Sequence, residues 1–127
     1  MTAYLIDSWA WIEYIDGTPR GRKVKETIES GEKIFSAAIT VAEVTSKIKR
    51  RSKDYVKGRD AIVANSKIIP LEEKEAYAAG QIHAEMRKTN PDIGIADAII
   101  IATARKLNAK ILTGDPDFKD VQEAVLI

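Results

Sequence analysis

Apolar residues fall into two rhythms along this chain. Short apolar runs recur at Ala3-Tyr4-Leu5-Ile6, Ile34-Phe35-Ser36, Lys67-Ile68-Ile69-Pro70 and Lys110 to Thr113. Runs of this length, bounded by turn formers, read as buried strands. Val125-Leu126-Ile127 reads as a last edge strand. Between the runs, the spacing is helical. Trp9 to Ile15 forms a first helix, capped by Asp7 or Ser8 and stopped by Asp16-Gly17-Thr18-Pro19. Arg20 to Ser30 is charged and amphipathic, with Val24 and Ile28 on one side and Gly31 after it. Ala38 to Arg51 and Asp54 to Asn65 follow, then a long helix from Glu72 to Lys88. Its Ala76, Ala79, Ile82 and Met86 predict a core-facing stripe, and Asn90-Pro91 ends it.

The helix after Gly94 is different. Ile95, Ala96, Ala98, Ile99, Ile100, Ile101, Ala102 and Ala104 leave it no polar face in its first two turns, so it belongs in the middle of a domain. Yet Asp97 sits inside it, between Ile93 at i−4 and Ile100 and Ile101 at i+3 and i+4.

Strands alternating with helices predict an α/β class fold, a three-layer α/β/α arrangement around a short, mainly parallel central sheet. In such sheets, ligands bind beyond the carboxyl ends of the strands. The chain has 127 residues, 45% of them hydrophobic. That is enough for one core and predicts a single domain spanning residues 1–127. Net charge is +1, so the bulk balance selects no partner and any nucleic-acid preference must come from local clustering. There is no cysteine, which excludes disulfides and thiolate metal sites and suits a cytoplasmic protein. Asp7 arrives after six residues, leaving no room for a secretory leader, and no run approaches a membrane span.

The chemistry collects at strand ends. Asp7 follows the first strand and Asp115 follows the fourth. With those two strands adjacent, both carboxylates emerge side by side. Asp97 and Glu43 can then face them from helices. Four carboxylates in a partly dry cleft repel strongly. A hard divalent cation resolves this, and all-oxygen ligation points to Mg²⁺ or Mn²⁺. The only histidine, His83, leaves little for zinc. Each acid also has a local reading. Asp7 can serve only as a helix cap, and Glu43 can close a capping box with Thr40. Asp115 can belong to an ordinary Gly-Asp-Pro-Asp turn. Asp97, placed mid-helix on an apolar face, has the least structural purpose. The conjunction of the four carries the argument.

From Lys47 to Arg59 there are seven basic residues against one acid, Asp54. Lys47, Arg50, Arg51 and Lys53 are the candidate phosphate contacts; a solvated, cation-capped helix end is the alternative. His83 reads as a surface or partner-facing side chain. Trp9, Trp11 and Tyr14 read as packing for the first helix, with an aromatic protein-binding surface as the alternative.

At these residues the chain resembles the PIN-domain family, specifically the small ribonucleases known as VapC-type toxins. The matching pieces are Tyr4 to Ser8 with Trp11 to Tyr14, Ser36 to Val44, Gly94 to Ala102, and Leu112 to Phe118. They occur in the family's order over nearly the full length. The resemblance implies a Mg²⁺- or Mn²⁺-dependent endoribonuclease. It implies metal-binding and catalytic roles for Asp7, Glu43, Asp97 and Asp115, with Asp117 as a fifth candidate. It further implies a homodimer and a small cognate antitoxin as partner. Many members carry a small polar residue two positions after the first acid. Here that position is Trp9, and the hydroxyls of Ser8 or Thr113 are the candidates to stand in. The competing functions are an RNA-processing PIN nuclease without a toxin role and a catalytically silent RNA- or protein-binding module. A phospho-acceptor domain ranks last, because the third strand ends in Pro70-Leu71-Glu72 with no aspartate to phosphorylate.

Overall fold

The computed structural model describes residues 1–127. Strand β1 (Ala3–Ile6) leads into α1 (Ser8–Asp16) and α2 (Pro19–Glu29), then β2 (Lys33–Ala37). Helices α3 (Ala38–Arg50) and α4 (Tyr55–Asn65) precede β3 (Lys67–Ile69). Helices α5 (Glu73–Met86) and α6 (Ile95–Leu107) precede β4 (Lys110–Thr113). A short 3₁₀ turn, Pro116–Phe118, and the edge strand β5 (Ala124–Leu126) complete the chain. The sheet order is β3-β2-β1-β4-β5 and every pairing is parallel. The tail expected at Val125–Ile127 is indeed an edge strand, shifted by one residue.

Pleating sorts the sheet's side chains to two faces. Leu5 and its register partner Ile111 point to one side, where Ile100, Ile101 and Ala104 of α6 cover them. Ile6 and its partner Leu112 point to the other, against Trp11 and Ile12 of α1, Val44 and Ile48 of α3, and Ile62 of α4. The result is the expected three layers. The core is tight enough that Leu5, Ile6, Ile62, Ile101 and Ile111 are fully buried.

Of the expected stripe on α5, Ala79 is buried and Ile82 and Met86 pack against the core, whereas Ala76 faces solvent and Glu75 turns inward beside it. Glu75 is tolerated inside because Lys106 Nζ lies 2.6 Å from its Oε1; a paired carboxylate can sit where an unpaired one cannot. In α4 only Ile62 reaches the core, while Val56 and Val63 face water.

The chain starts in the middle of the sheet at β1, moves outward through β2 and β3, then crosses back to β4 beside β1. The carboxyl ends of β1 and β4 therefore form the switch point where connections leave in opposite directions. A crevice opens there in parallel sheets.

Candidate metal centre

Asp7 is the first residue past β1 and is almost wholly buried. It caps α1: Ala10 N–H donates to Asp7 Oδ1 at 3.0 Å. The Thr113 hydroxyl, at the end of β4, donates to Asp7 Oδ2 at 2.7 Å. The same hydroxyl accepts from Asp115 N–H at 3.0 Å, and Asp115 Oδ1 accepts from Asp117 N–H at 2.9 Å. One ladder of hydrogen bonds thus ties the end of β1 to the turn after β4. Both local readings, helix cap for Asp7 and turn former for Asp115, hold alongside their convergence.

Helices bring the other acids. Asp97 is the third residue of α6, not a mid-helix residue, and its Oδ2 accepts from Gly94 N–H at 3.1 Å. It has a structural purpose after all, closing back on the helix start as an N3 carboxylate does. Glu43 lies inside α3, which begins at Ala38 with Ala37 as its cap. Thr40 is therefore within the helix and buried, so a Thr40–Glu43 capping box does not form. Glu43 is free to point at the other acids.

Carboxylate oxygens of Asp97, Asp115 and Asp117 lie within 4.8 Å of one another. Asp117, the weakest of the sequence candidates, joins the tightest group. Asp7 and Glu43 stand just outside that triad but feel its charge. Burial, followed by the charges of Asp115 and Glu43, pushes the Asp7 carboxyl up to about 7, against the pull of hydrogen bonds from Thr113 and Ala10. Glu43 is raised by burial and then by Asp97, with Asp115 adding to the shift. Asp97 is raised by burial and then by Asp115 and Asp117. Like charges and partial dehydration both disfavour ionisation, and an added cation reverses both effects. The donors are carboxylate oxygens, with no thiol or imidazole among them. His83 lies close enough to Asp97 to favour its ionised form, but its Nε2 is engaged 3.1 Å from the Ile93 carbonyl oxygen. This donor set fits a hard divalent cation.

Beside the acids lies a cleft of about 490 Å³ lined by Ser8, Trp9, Ile12, Ala42, Glu43, Ser46, Lys47, Arg50 and Asp115. Of the four basic candidates, Lys47 and Arg50 stand on its wall. Arg51 and Lys53 do not: they line a separate depression with Asp16, Asp54 and Lys57. Arg51 Nη1 is paired with Asp16 Oδ2 at 2.9 Å. One helical position decides this, since Arg50 and Arg51 point about 100° apart.

Thr113, expected from the sequence only as a hydroxyl that could stand in near the metal, is the bridge between Asp7 and Asp115. One contact escaped the sequence reading. Trp9 lies on Gly114, so that a Cβ at position 114 would overlap three carbons of the indole's six-membered ring. Nothing in the linear sequence signals that contact. Trp11 packs as expected, fully buried, with its Nε1 donating to Ser36 Oγ at 2.9 Å.

A family model described as the PIN domain matches residues 4–124. Among solved structures, the chain is similar to a toxin–antitoxin complex from Klebsiella pneumoniae, with a TM-score of 0.77, 23% identity, and coverage of 96% of this chain and 95% of the other. It is similar to VapBC2 from Rickettsia felis bound to a DNA fragment from their promoter, with a TM-score of 0.78, 19% identity, and coverage of 99% and 98%. It is also similar to Mycobacterium tuberculosis VapC20, a sarcin-ricin-loop-cleaving toxin, with a TM-score of 0.76, 15% identity, and 98% of each chain covered. At these identities the likeness is one of fold. No curated protein sequence matches the chain.

Proposed function

We propose, from the premise that this chain belongs to the PIN-domain family, that it is a Mg²⁺- or Mn²⁺-dependent endoribonuclease. The observation that carries the reading is the meeting of carboxylates from two strand ends and two helices beside a cleft with a cationic wall. Asp97, Asp115 and Asp117 would hold the cation, with Asp7 and Glu43 completing its surroundings. The reaction is hydrolysis: a water oxygen bonds to phosphorus as the bond from phosphorus to a ribose oxygen breaks. A divalent cation supplies positive charge against the phosphoryl oxygens and makes water acidic enough to attack at neutral pH.

The chain's own groups do the rest. Lys47 and Arg50 stand where a phosphodiester entering the cleft would meet them, and neither is held in an ion pair. Their charges favour the approach of a polyanion. Asp7, held near Thr113, keeps that hydroxyl oriented and the turn at Asp115 in place. Ile12 and Ala42 add apolar surface to the lining of the cleft.

The biological role we assign is that of the toxin in a VapBC-type pair, a single nuclease domain acting in the cytoplasm as a homodimer and restrained by a small cognate antitoxin. No helix is long and apolar enough to cross a membrane. The named neighbours from Klebsiella pneumoniae and Rickettsia felis support that role through their shared fold.

The deciding assay incubates purified protein with structured RNAs in Mg²⁺, Mn²⁺ or EDTA, with Asp7→Asn in parallel. Cleavage by wild type with either ion, and none in EDTA or with Asp7→Asn, is the expected result. Cleavage that persists in EDTA would overturn the metal requirement. RNA binding with no cleavage under any condition would favour the silent binding module instead.

A further inference from the structure

We propose that Trp9 is a positioning residue for the metal centre: its indole, seated on Gly114, holds the Gly114–Asp117 turn so that Asp115 and Asp117 stay beside Asp97. The inference rests on the metal-dependent reading above.

The turn carries two of the three converging acids and hangs between two fixed ends, Thr113, bonded to Asp7, and the buried Phe118. Between those ends its side-chain hydrogen bonds are local, from Asp115 N–H to Thr113 and from Asp117 N–H to Asp115. Pro116 is exposed. Against this short segment stands a rigid stop. Trp9 lies in the first turn of α1, a helix capped by Asp7 and seated by the buried Ala10, Trp11 and Ile12. The indole's six-membered ring fills the space where a side chain at position 114 would begin. The Arg20 guanidinium lies over the same ring, 5.7 Å from its centroid, and restrains it from α2.

Glycine at 114 has a reason other than backbone freedom. Positive φ among the glycines occurs at Gly17 and Gly31, not at Gly114. A glycine whose φ any residue could adopt, but whose Cβ would collide, marks a close approach. Trp9 and Gly114 are therefore two halves of one contact. Displacing the turn from the ring would move Asp115 and Asp117 together, because both hang on the same few peptide units. Groups that orient metal ligands typically influence affinity by 10–100-fold.

The test measures Mn²⁺ affinity by titration calorimetry on the full chain, for wild type, Trp9→Ala, Gly114→Ala and the double variant. Thermal unfolding in EDTA checks each fold. Trp9→Ala is expected to weaken Mn²⁺ binding by about tenfold while unfolding near the wild-type temperature. Gly114→Ala should weaken it further, since its Cβ drives the turn off the ring. The double variant should return to the Trp9→Ala value, because both changes act through one contact. Losses that simply multiply in the double variant, or equal affinity in all four proteins, would overturn the proposal and leave the carboxylate site standing. Wild type that binds no Mn²⁺ would overturn both. Should Gly114→Ala fail to fold, Trp9→Phe decides. A ring at position 9 should keep affinity close to wild type, and an affinity no better than that of Trp9→Ala overturns the positioning role.

Discussion

Asp97 illustrates how one carboxylate serves two ends at the residue scale. Its Oδ2 accepts from Gly94 N–H and so stabilises the start of α6, while the same group lies within 4.8 Å of Asp115 and Asp117 oxygens. An asparagine keeps an oxygen for the Gly94 bond but gives up the charge. Asp97→Asn should therefore change stability by no more than about 1 kcal/mol and cut metal-dependent RNA cleavage by more than about a hundredfold. Wild-type rates from a folded Asp97→Asn protein would remove it from the site. Asp7 makes a pH prediction. Its carboxyl is raised from 3.8 to about 7 in the fold, chiefly by burial. Between those values the folded protein keeps a proton that the unfolded chain has released. Stability from this group is thus complete below about pH 4 and is lost as pH rises through about 7. In EDTA, the unfolding midpoint of wild type should fall across that window. The fall should be smaller in Asp7→Asn, whose amide does not titrate; parallel curves would show that Asp7 is not the group responsible.

At the scale of elements, helices act as rulers for charge. Helix α3 puts Lys47 and Arg50 on the cleft wall and leaves Lys53, just past its end, in another depression. Reversing Lys47 and Arg50 to Glu should weaken RNA binding and lower the slope of log affinity against log salt by roughly one to two. Lys53→Glu should leave that slope near wild type. Equal effects from both would mean a diffuse cationic surface rather than a wall. The α1–α2 corner gives a packing prediction. Gly21 in the first turn of α2 lies so close to the Glu13 carbonyl that a Cβ would overlap it. Gly21→Ala should cost about 1–3 kcal/mol of stability, read from denaturant unfolding, because two backbones must separate.

For the whole molecule, a metal that binds only the assembled acids must also stabilise the assembly. Mg²⁺ or Mn²⁺ at about a hundred times its dissociation constant should add about 2.7 kcal/mol of stability. The unfolding temperature should rise accordingly, reverse with EDTA, and respond far less in Asp97→Asn. An unfolding temperature indifferent to both ions would argue that the acids do not share one ion.

Much of this was legible in the chain itself. The alternation of short apolar runs with helical spacing determined the α/β class, the strands within a residue or two and the adjacency of acids to strand ends. These are local properties: each follows from the period of a few side chains and the cap or breaker beside them. The resemblance to the PIN-domain family rested on the same short pieces, and the match over residues 4–124 agrees with it. What periodicity could not decide was set by contacts distant in sequence. Glu75 turned inward because Lys106 was there to pair with it. Asp117 joined Asp97 because the turn after β4 carried it within 4.8 Å of a residue twenty positions earlier in the chain. The order β3-β2-β1-β4-β5 placed Asp7 and Asp115 at one switch point, and Trp9 met Gly114 only because β1 and β4 are neighbours. The sequence by itself determined which residues carry charge and where the elements begin and end. Only the tertiary structure decided which charges meet, because like carboxylates come together when the burial of Leu5, Ile6, Ile111 and Leu112 outweighs their repulsion.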